Sequence, residues 1–361
     1  MDEEFDFEGR IERLRSLGTA EEVDGLLIVD PLNVRYLSGF SGGEGFLFVD
    51  MASSTLVVDG RYTEQARGEV QGAHVVEYAD KVEGVLEVMV SSDRRRIGFE
   101  AAAVTCELFT KINGGLPDPV QLVPLRKWPA ALRACKDAGE LIRLREAAKI
   151  ATRALRKTLE TLTEGTRERE FALLLNWHMA LEGSEKPSFD TIVASGVNGA
   201  LPHARPGLRP FRRGDFIVID YGAVFEGYHS DETYTACLGR ATTEQRRVYE
   251  TVLAAHDKAL EAVRPGVLCR ELDSIARTYI EQAGYGSRFV HGTGHGVGLD
   301  VHETPTISPR SQDRLEEGMI ITIEPGIYLP DRFGVRIEDM ILVTGDGCEV
   351  LSETPKNLIE L

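Results

Sequence analysis

Two pairs of acidic residues, each spread over two strand-like segments around a turn, constrain the fold of this chain more than any other feature. Asp220 lies on the apolar run 216–222, where side chains would alternate between the two faces of a strand, and Asp231 lies on the segment that follows. The midpoint of the pair falls at Phe225-Glu226, beside Gly227. An antiparallel hairpin that closes at this point would place the two aspartates nearly opposite each other.

Glu324 and Glu338 repeat this arrangement further along the chain. Their strand candidates, 319–324 and 335–344, are joined by a turn that contains the midpoint of the pair, position 331. Two hairpins therefore each present a facing pair of acids. Carboxylates that lie so close together repel each other unless they are protonated or bridged by cations, so the pattern predicts a metal site.

His295 lies between the two acid pairs, in the run Gly-Thr-Gly-His-Gly-Val-Gly at 292–298. A histidine between glycines contributes little to packing. Imidazole is a ligand for Mn, Co, Zn or Fe, and carboxylates suit Mn and Mg. Four carboxylates and one imidazole aimed at one point could hold two divalent cations about 3.5–4 Å apart and activate a water between them.

Three further histidines stand in similar contexts. His203 lies in Leu-Pro-His-Ala-Arg-Pro, while His291 and His302 lie on either side of His295. Histidines near such a centre could hydrogen-bond a substrate carbonyl or its oxyanion, or transfer protons near neutral pH. For His203 a structural role is equally open, because proline-flanked loops also hold histidines through backbone hydrogen bonds.

Composition and motifs exclude several classes of protein. With 41 basic and 58 acidic residues, the net charge of −17 argues against a nucleic acid or an anionic membrane as a partner. No apolar run approaches the roughly 18–20 residues of a membrane span, and the acidic N-terminus lacks the basic region of a signal peptide. The five cysteines are widely spaced and form no Cys-x-x-Cys motif, which predicts that the protein is located in the reducing cytoplasm. Rossmann, Walker and Gly-x-Ser-x-Gly motifs are missing, which argues against nucleotide binding and acyl transfer through serine.

The first part of the chain has the pattern of a small α/β domain. Up to about Val123, amphipathic stretches alternate with short strand candidates. These candidates lie at 25–30, 45–50, 55–59, 74–78 and 97–100.

After Pro129 the pattern changes to a long helix, opened by Asp137 with Glu140 three positions later. Two more helical windows follow, at 167–182 and 244–263, together with the hairpins. Helices packed over hairpins predict an α+β domain with an at least partly antiparallel sheet. We therefore expect an N-terminal domain over residues 1–130 and a second domain over residues 131–361.

Several stretches of the chain resemble the pita-bread metallopeptidase family, and specifically its Xaa-Pro branch, which contains aminopeptidase P and prolidase. The first part also resembles the creatinase-type domain that precedes the catalytic domain in this branch, through 33–40 and 59–66. The stretches that match the catalytic domain are 192–206, Ile-Asp-Tyr-Gly-Ala at 219–223, Ser-Asp-Glu-Thr at 230–233, His-Gly-Thr-Gly-His-Gly-Val-Gly at 291–298, Thr-Ile-Glu-Pro-Gly-Ile-Tyr at 322–328 and Gly-Val-Arg-Ile-Glu-Asp at 334–339.

The resemblance implies an α+β fold with a creatinase-type N-terminal domain and a pita-bread catalytic domain, and it implies a role for each acid. Asp220 is expected to bind one cation, and Asp231 and Glu338 are expected to bridge both cations. His295 and Glu324 are expected to complete the ligand set of the second cation. The expected cations are Mn²⁺, with Co²⁺ or Zn²⁺ as alternatives.

The resemblance also implies residues that act on the substrate or on the ligands. His203, His291 and His302 match the substrate-site histidines of the family, and Glu324 is expected to pass a proton to the leaving nitrogen. Arg336 and Thr233 are expected to contact and orient the ligand carboxylates, since on the predicted strands Arg336 shares a face with Glu338 and Thr233 shares one with Asp231.

The expected reaction is metal-dependent hydrolysis of the peptide bond that precedes proline. We favour an Xaa-Pro aminopeptidase, and the alternative is an Xaa-Pro dipeptidase restricted to dipeptides. A dipeptidase needs a positive group for the free carboxylate of proline, which Arg332, Arg310 or Arg314 could supply. A creatinase-like or non-catalytic relative and a methionine aminopeptidase are remoter alternatives. By resemblance alone we expect a cytoplasmic homodimer or tetramer.

Overall fold

The computed structural model describes residues 5–126 and 128–361; residues 1–4 and 127, which the predicted N-terminal domain includes, lie outside the described residues. The chain divides into two compact units at Arg133/Ala134. The domain assignment at 1–130 and 131–361 stays a prediction. Within the described part of the chain, none of the helices has the length and apolar character needed to cross a membrane.

The N-terminal unit is built on one mixed sheet of six strands, in the order β4-β3-β2-β1-β5-β6. The five predicted strands are present. A sixth strand, β6 at Gln121–Leu125, was not predicted because it contains Pro124, and proline is rare within strands. It is tolerated here because β6 lies at the edge of the sheet. The strands are Gly25–Ile28 (β1), Phe46–Asp50 (β2), Ser54–Asp59 (β3), His74–Tyr78 (β4), Arg96–Glu100 (β5) and Gln121–Leu125 (β6). The helices are Phe7–Ala20 (α1), Pro31–Ser38 (α2), Thr63–Glu69 (α3), Lys81–Ser91 (α4) and Cys106–Gly115 (α5).

Glu100, at the end of β5, is a buried acid that the fold supplies with donors. Its carboxylate accepts hydrogen bonds from the amides of Val29 at 2.5 Å and Asp30 at 2.9 Å, and from Asn33 Nδ2 at 2.6 Å. Asn33 Oδ1 in turn accepts from Arg133 Nη1 at 2.6 Å. Burial raises the pKa of Glu100 to about 7, although these hydrogen bonds oppose the shift.

The second unit contains four long helices. The helix that begins after Asp137 has the predicted capping box with Glu140, and the two later helical windows are confirmed to within a residue. A fourth helix was not predicted, although Leu272, Ala276 and Ile280 recur at helical spacing and are buried. The helices are Ala138–Leu159 (α6), Glu168–Leu181 (α7), Thr243–Ala262 (α8) and Cys269–Gln282 (α9).

The strands of this unit form a three-stranded sheet, in the order β11-β8-β7, a five-stranded sheet, in the order β13-β12-β14-β17-β18, and two hairpin ends. The paired strands run antiparallel, which confirms the predicted α+β organisation. The strands are Ile192–Ser195 (β7), Phe216–Tyr221 (β8), Val224–Phe225 (β9), Tyr228–His229 (β10), Glu232–Cys237 (β11), Gly294–Gly296 (β12), Glu303–Ile307 (β13), Ile320–Ile323 (β14), Gly326–Leu329 (β15), Phe333–Arg336 (β16), Asp339–Val343 (β17) and Cys348–Val350 (β18).

The first acid hairpin closes one residue later than the sequence predicts. Glu226 and Gly227 both have positive φ, at 45° and 79°, as in the two-residue turns that suit the twist of a hairpin. The register therefore pairs Asp220 with Thr233 rather than with Asp231. Asp231 lies two positions from the partner of Asp220, so the two carboxylates are diagonal neighbours rather than directly opposite.

The second acid hairpin has the predicted register. β14 pairs with β17 and β15 pairs with β16 in one continuous alignment, whose centre is Asp331 at φ 59°. Glu324 and Glu338 occupy matched positions in the gap between these two ladders. The midpoint read from the sequence is therefore confirmed.

Candidate metal centre

Ligand atoms from both hairpins and from the glycine-rich run meet in one place. Those of Asp231, His295 and Glu338 all lie within 4.8 Å of one another. His295 Nε2 is 3.5 Å from Asp231 Oδ2 and 3.5 Å from Glu324 Oε1. Asp220 Oδ2 is bound by Arg336, and its Oδ1 atom is buried without a hydrogen-bond partner among the described residues. The structure thus gathers the carboxylates and the imidazole that the sequence singled out.

Glycine is required around His295 because β12 lies very close to its neighbours. A Cβ atom on Gly294 would lie 1.9 Å from the carbonyl oxygen of Thr322, and one on Gly296 would lie 2.3 Å from that of Thr304. The Nδ1–H of His295 donates to the carbonyl oxygen of Gly296 at 3.0 Å. This hydrogen bond selects the tautomer whose Nε2 lone pair faces the acids, which is the form that binds a metal.

Thr233 and Arg336 both contact carboxylates of the centre, and their predicted orienting role stays a prediction. Thr233 Oγ1 donates to Glu338 Oε2 at 2.6 Å, and the carbonyl oxygen of Thr233 accepts from the amide of Glu338 at 3.2 Å. Arg336 Nε donates to Thr233 Oγ1 at 3.0 Å, and its Nη2 donates to Asp220 Oδ2 at 2.5 Å. The three-stranded sheet and the hairpin of Glu338 are therefore joined directly at the centre.

The centre concentrates more negative charge than its own side chains neutralise. Burial, followed by repulsion from neighbouring carboxylates, raises the pKa values of Asp231 and Glu338 well above the ordinary range. Burial also raises the pKa of Glu324 to about 7. These acids hold protons more tightly than free carboxylates do, and bound cations would replace those protons.

The donor set fits a pair of divalent cations. Carboxylate oxygens with one imidazole are the ligand types that Mn²⁺ and similar ions take. The buried Oδ1 of Asp220, which has no hydrogen-bond partner in residues 5–126 and 128–361, is an acceptor that a cation would satisfy.

His291 belongs to a chain of hydrogen bonds that leads to Arg336. Its Nδ1–H donates to the carbonyl oxygen of Gly292 at 2.8 Å, and its Nε2 accepts from the hydroxyl of Tyr328 at 2.8 Å. That hydroxyl accepts from Arg336 Nη1 at 2.8 Å. Burial lowers the pKa of His291 to about 4, which keeps the ring neutral. Both ring nitrogens have partners, so a hydrogen bond from His291 to a substrate requires one of them to be released.

The other two predicted histidines are both exposed. The ring of His302 lies 4.4 Å from that of His295, centre to centre, and partial desolvation together with His295 lowers the pKa of His302. His203 is exposed and follows Pro202, whose carbonyl oxygen accepts from Arg336 Nη1 at 3.2 Å. The histidine loop is thus tied to the same arginine that orients Asp220.

The three candidate arginines for a substrate carboxylate differ in their contacts. Arg332, at the tip of the second hairpin, pairs with Glu244. Arg314 Nη1 donates to the carbonyl oxygen of Gly266 at 2.7 Å, and Arg310 is exposed. Arg332 and Arg314 are therefore held by other groups.

Sequence reasoning assigned no role to Tyr328, although it joins His291 to Arg336. The signal was available, because side chains alternate along a strand and Tyr328 lies four positions after Glu324, on the same face of the extended hairpin. What the sequence could not show is that a histidine 37 positions away along the chain would lie against its hydroxyl.

The fold and the centre together define a class of protein, the metallopeptidases that hold divalent cations between carboxylates. The chain matches the model of metallopeptidase family M24 over residues 142–345 and that of the creatinase/prolidase N-terminal domain over residues 10–135. It belongs to metallopeptidase family M24.

Relatives and solved structures agree with this assignment. An Xaa-Pro dipeptidase of Pyrococcus furiosus is 40% identical over 351 residues, which cover 97% of this chain and 99% of the relative. The structure of an Xaa-Pro dipeptidase from Bacillus anthracis has a TM-score of 0.96 at 36% identity and covers 99% of this chain and 100% of its own. That of an X-Pro aminopeptidase from Thermotoga maritima has a TM-score of 0.91 at 35% identity, with 98% and 100% covered.

These similarities confirm the predicted family, the creatinase-type N-terminal domain with a pita-bread catalytic domain, and the class of enzyme, a peptidase that uses divalent metal ions.

Proposed function

We propose that the protein is an Xaa-Pro dipeptidase, which hydrolyses the peptide bond before proline in dipeptides. The observation that carries this proposal is the similarity, over nearly the whole chain, to relatives named Xaa-Pro dipeptidase. These names support the dipeptidase alternative better than the aminopeptidase that the sequence analysis favoured.

We propose the following roles for the ligands. Asp220 would hold one cation, His295 with Glu324 would hold the second, and Asp231 and Glu338 would be shared between the two. Mn²⁺ is our first choice, with Co²⁺ or Zn²⁺ as alternatives. Such a pair of cations supplies a water nucleophile that is active near neutral pH and charge stabilisation for the attacked carbonyl.

The proposed roles in the reaction follow from position. Glu324 would take a proton from the nucleophilic water and pass it to the proline nitrogen as the peptide bond breaks. His302 donates a hydrogen bond to the oxyanion that develops on the carbonyl. His203 and His291 shape the proline side of the site. The bond before proline has no N–H, so recognition depends on a pocket rather than on a backbone hydrogen bond.

Assembly and location are proposed on narrower grounds. The five cysteines are free in the structure, which supports a reducing compartment such as the cytoplasm. A homodimer or tetramer is proposed from the family resemblance alone.

The proposal is tested by comparing two substrates. We expect protein stripped of metal by a chelator to lose hydrolysis of Ala-Pro and to regain it with Mn²⁺. We further expect kcat/KM for Ala-Pro to exceed that for Ala-Pro-Ala by at least about tenfold, since a contact to the free proline carboxylate is lost in the tripeptide.

The second candidate is an Xaa-Pro aminopeptidase. Its support is the high structural similarity to the Thermotoga maritima protein, together with the occupation of Arg332 and Arg314 by other partners. Equal or faster turnover of Ala-Pro-Ala would establish this activity instead, and hydrolysis that survives complete removal of metal would overturn both.

A further inference from the structure

Each of the two proposed bridging acids is followed in the sequence by a second acid. Glu232 follows Asp231, and Asp339 follows Glu338. Because side chains alternate along a strand, the second acid of each pair points away from the metal centre. Both are nevertheless buried, with 2% and 3% of their surface exposed. Two buried carboxylates, called the rear acids here, therefore lie on the side of these strands that faces away from the centre.

Lys356 neutralises these rear acids. Its Nζ atom lies 2.8 Å from Glu232 Oε1 and 3.0 Å from Asp339 Oδ1. It also donates to the carbonyl oxygen of Glu338 at 2.7 Å. The ammonium group, which has three N–H donors, thus has three oxygen atoms within 3.0 Å.

The two rear acids belong to two different sheets. Glu232 begins β11 of the three-stranded sheet, while Asp339 begins β17 of the five-stranded sheet. Lys356 follows β18 and so reaches both from the C-terminal segment. One ammonium group thus links the two strands at the point where each delivers a bridging acid to the centre.

The rear acids are also held at their remaining oxygens. The hydroxyl of Tyr221 donates to Glu232 Oε2 at 2.9 Å, and His256 Nε2 lies 3.2 Å from Asp339 Oδ2. If Lys356 is lost, two buried like charges face each other, and their repulsion favours separation of the two strands that carry them.

We propose that Lys356 is a positioning residue, which sets the separation of Asp231 and Glu338 by tying together the acids behind them. The inference rests on the ligand set of the proposed function. Its consequence is a loss of cation affinity when Lys356 is replaced, beyond any loss of stability. Residues that orient ligands from behind typically contribute about 10- to 100-fold to metal affinity.

The test measures cation binding directly. Protein stripped of metal is titrated with Co²⁺, and binding is followed by calorimetry and by the visible absorption of the bound ion. We expect Lys356→Met to bind at least one of two Co²⁺ equivalents about 10- to 100-fold more weakly than the unaltered protein. For Ala-Pro, the decrease in kcat should be larger than any change in KM, because the substitution disturbs the centre rather than the substrate pocket.

Lys157→Met is the matched control. Lys157 pairs with Glu182 and is 58% exposed at its side chain. Because the substitution is the same but Lys157 is an exposed residue of α6 that contacts none of the proposed ligands, Co²⁺ affinity should stay within about twofold of the unaltered value. An equal loss in both variants would overturn the proposal.

Glu232→Gln covers the case in which Lys356→Met does not fold. It removes one anchor of the ammonium while keeping the size of the side chain, and we expect a weaker Co²⁺ affinity than in the unaltered protein. Unchanged affinity in a folded Lys356→Met, or in Glu232→Gln, gives Lys356 a purely structural role and overturns the inference. If the unaltered protein binds fewer than two Co²⁺ ions or does not cleave Ala-Pro, the proposed function fails instead.

Discussion

Glu100 in the N-terminal unit and Glu324 in the catalytic unit are both acids whose pKa burial raises to about 7, yet their surroundings differ. Glu100 accepts three hydrogen bonds from Val29, Asp30 and Asn33. Glu324 accepts one long hydrogen bond, 3.5 Å from Thr322 Oγ1. Glu100 has the donors that a buried structural acid needs, whereas Glu324, among other carboxylates and with few donors, has the surroundings that a cation site would have.

The largest expected effect is on activity, and it distinguishes the acids of the candidate centre from Glu100. Glu338→Ala should lower kcat/KM for Ala-Pro by at least about 1,000-fold, at the upper end of what one charge-stabilising group contributes. Glu100→Ala, corrected for the folded fraction, should keep a nearly unaltered kcat/KM. Initial rates with Mn²⁺ measure both. A near-normal rate for Glu338→Ala would remove that residue from the centre.

The next effect concerns pH and the stability of the N-terminal unit. The folded state raises the pKa of Glu100 from 4.5 to about 7, so it binds the proton more tightly than the unfolded chain does. Stability from this group is therefore complete below pH 4.5 and is lost as the pH rises through 7, by up to about 3 kcal/mol.

This loss can be followed with a single fluorophore. The chain has two tryptophans, and Trp128 belongs to the N-terminal unit, so denaturation of Trp177→Phe reports that unit alone. Glu100→Gln, which carries no charge at any pH, should lack this part of the pH dependence. Identical pH profiles with and without Glu100→Gln would show that the acid does not titrate in this range.

The smallest effect is the stabilisation that cations bring to one unit. Mn²⁺ at about 100 times its dissociation constant should add about 2.7 kcal/mol to the free energy of unfolding of the catalytic unit. Hydrogen exchange should slow in β11 and β17, which flank the ligands, and stay unchanged in β5, which carries Glu100. Equal slowing of hydrogen exchange in both units would remove the distinction between Glu100 and the acids of the candidate centre.

Much of the fold follows from patterns within short stretches of sequence. The midpoint of Glu324 and Glu338 predicted the register of the second hairpin, because a symmetric hairpin is determined by its turn. The same arithmetic was wrong by one residue for Asp220 and Asp231, because the positive φ of Glu226 and Gly227 moved the turn. Turn conformation is a local property that composition alone does not reveal.

The candidate centre could be predicted in its residue types but not in its contacts. The alternation of side chains and the resemblance to the family named the acids and His295. The roles of Tyr328 and Lys356 depend on partners far away in the chain: His291 for the first and Glu232 for the second.

The sequence by itself determined which side chains face inward on each hairpin and therefore which chemistry is available, because strand alternation repeats every two residues. Only the tertiary structure decided that two sheets meet at Thr233 and Glu338 and that the acids become buried together. Protonation, tautomer and cation affinity depend on distance and burial through space, and these quantities exist only once the chain has folded.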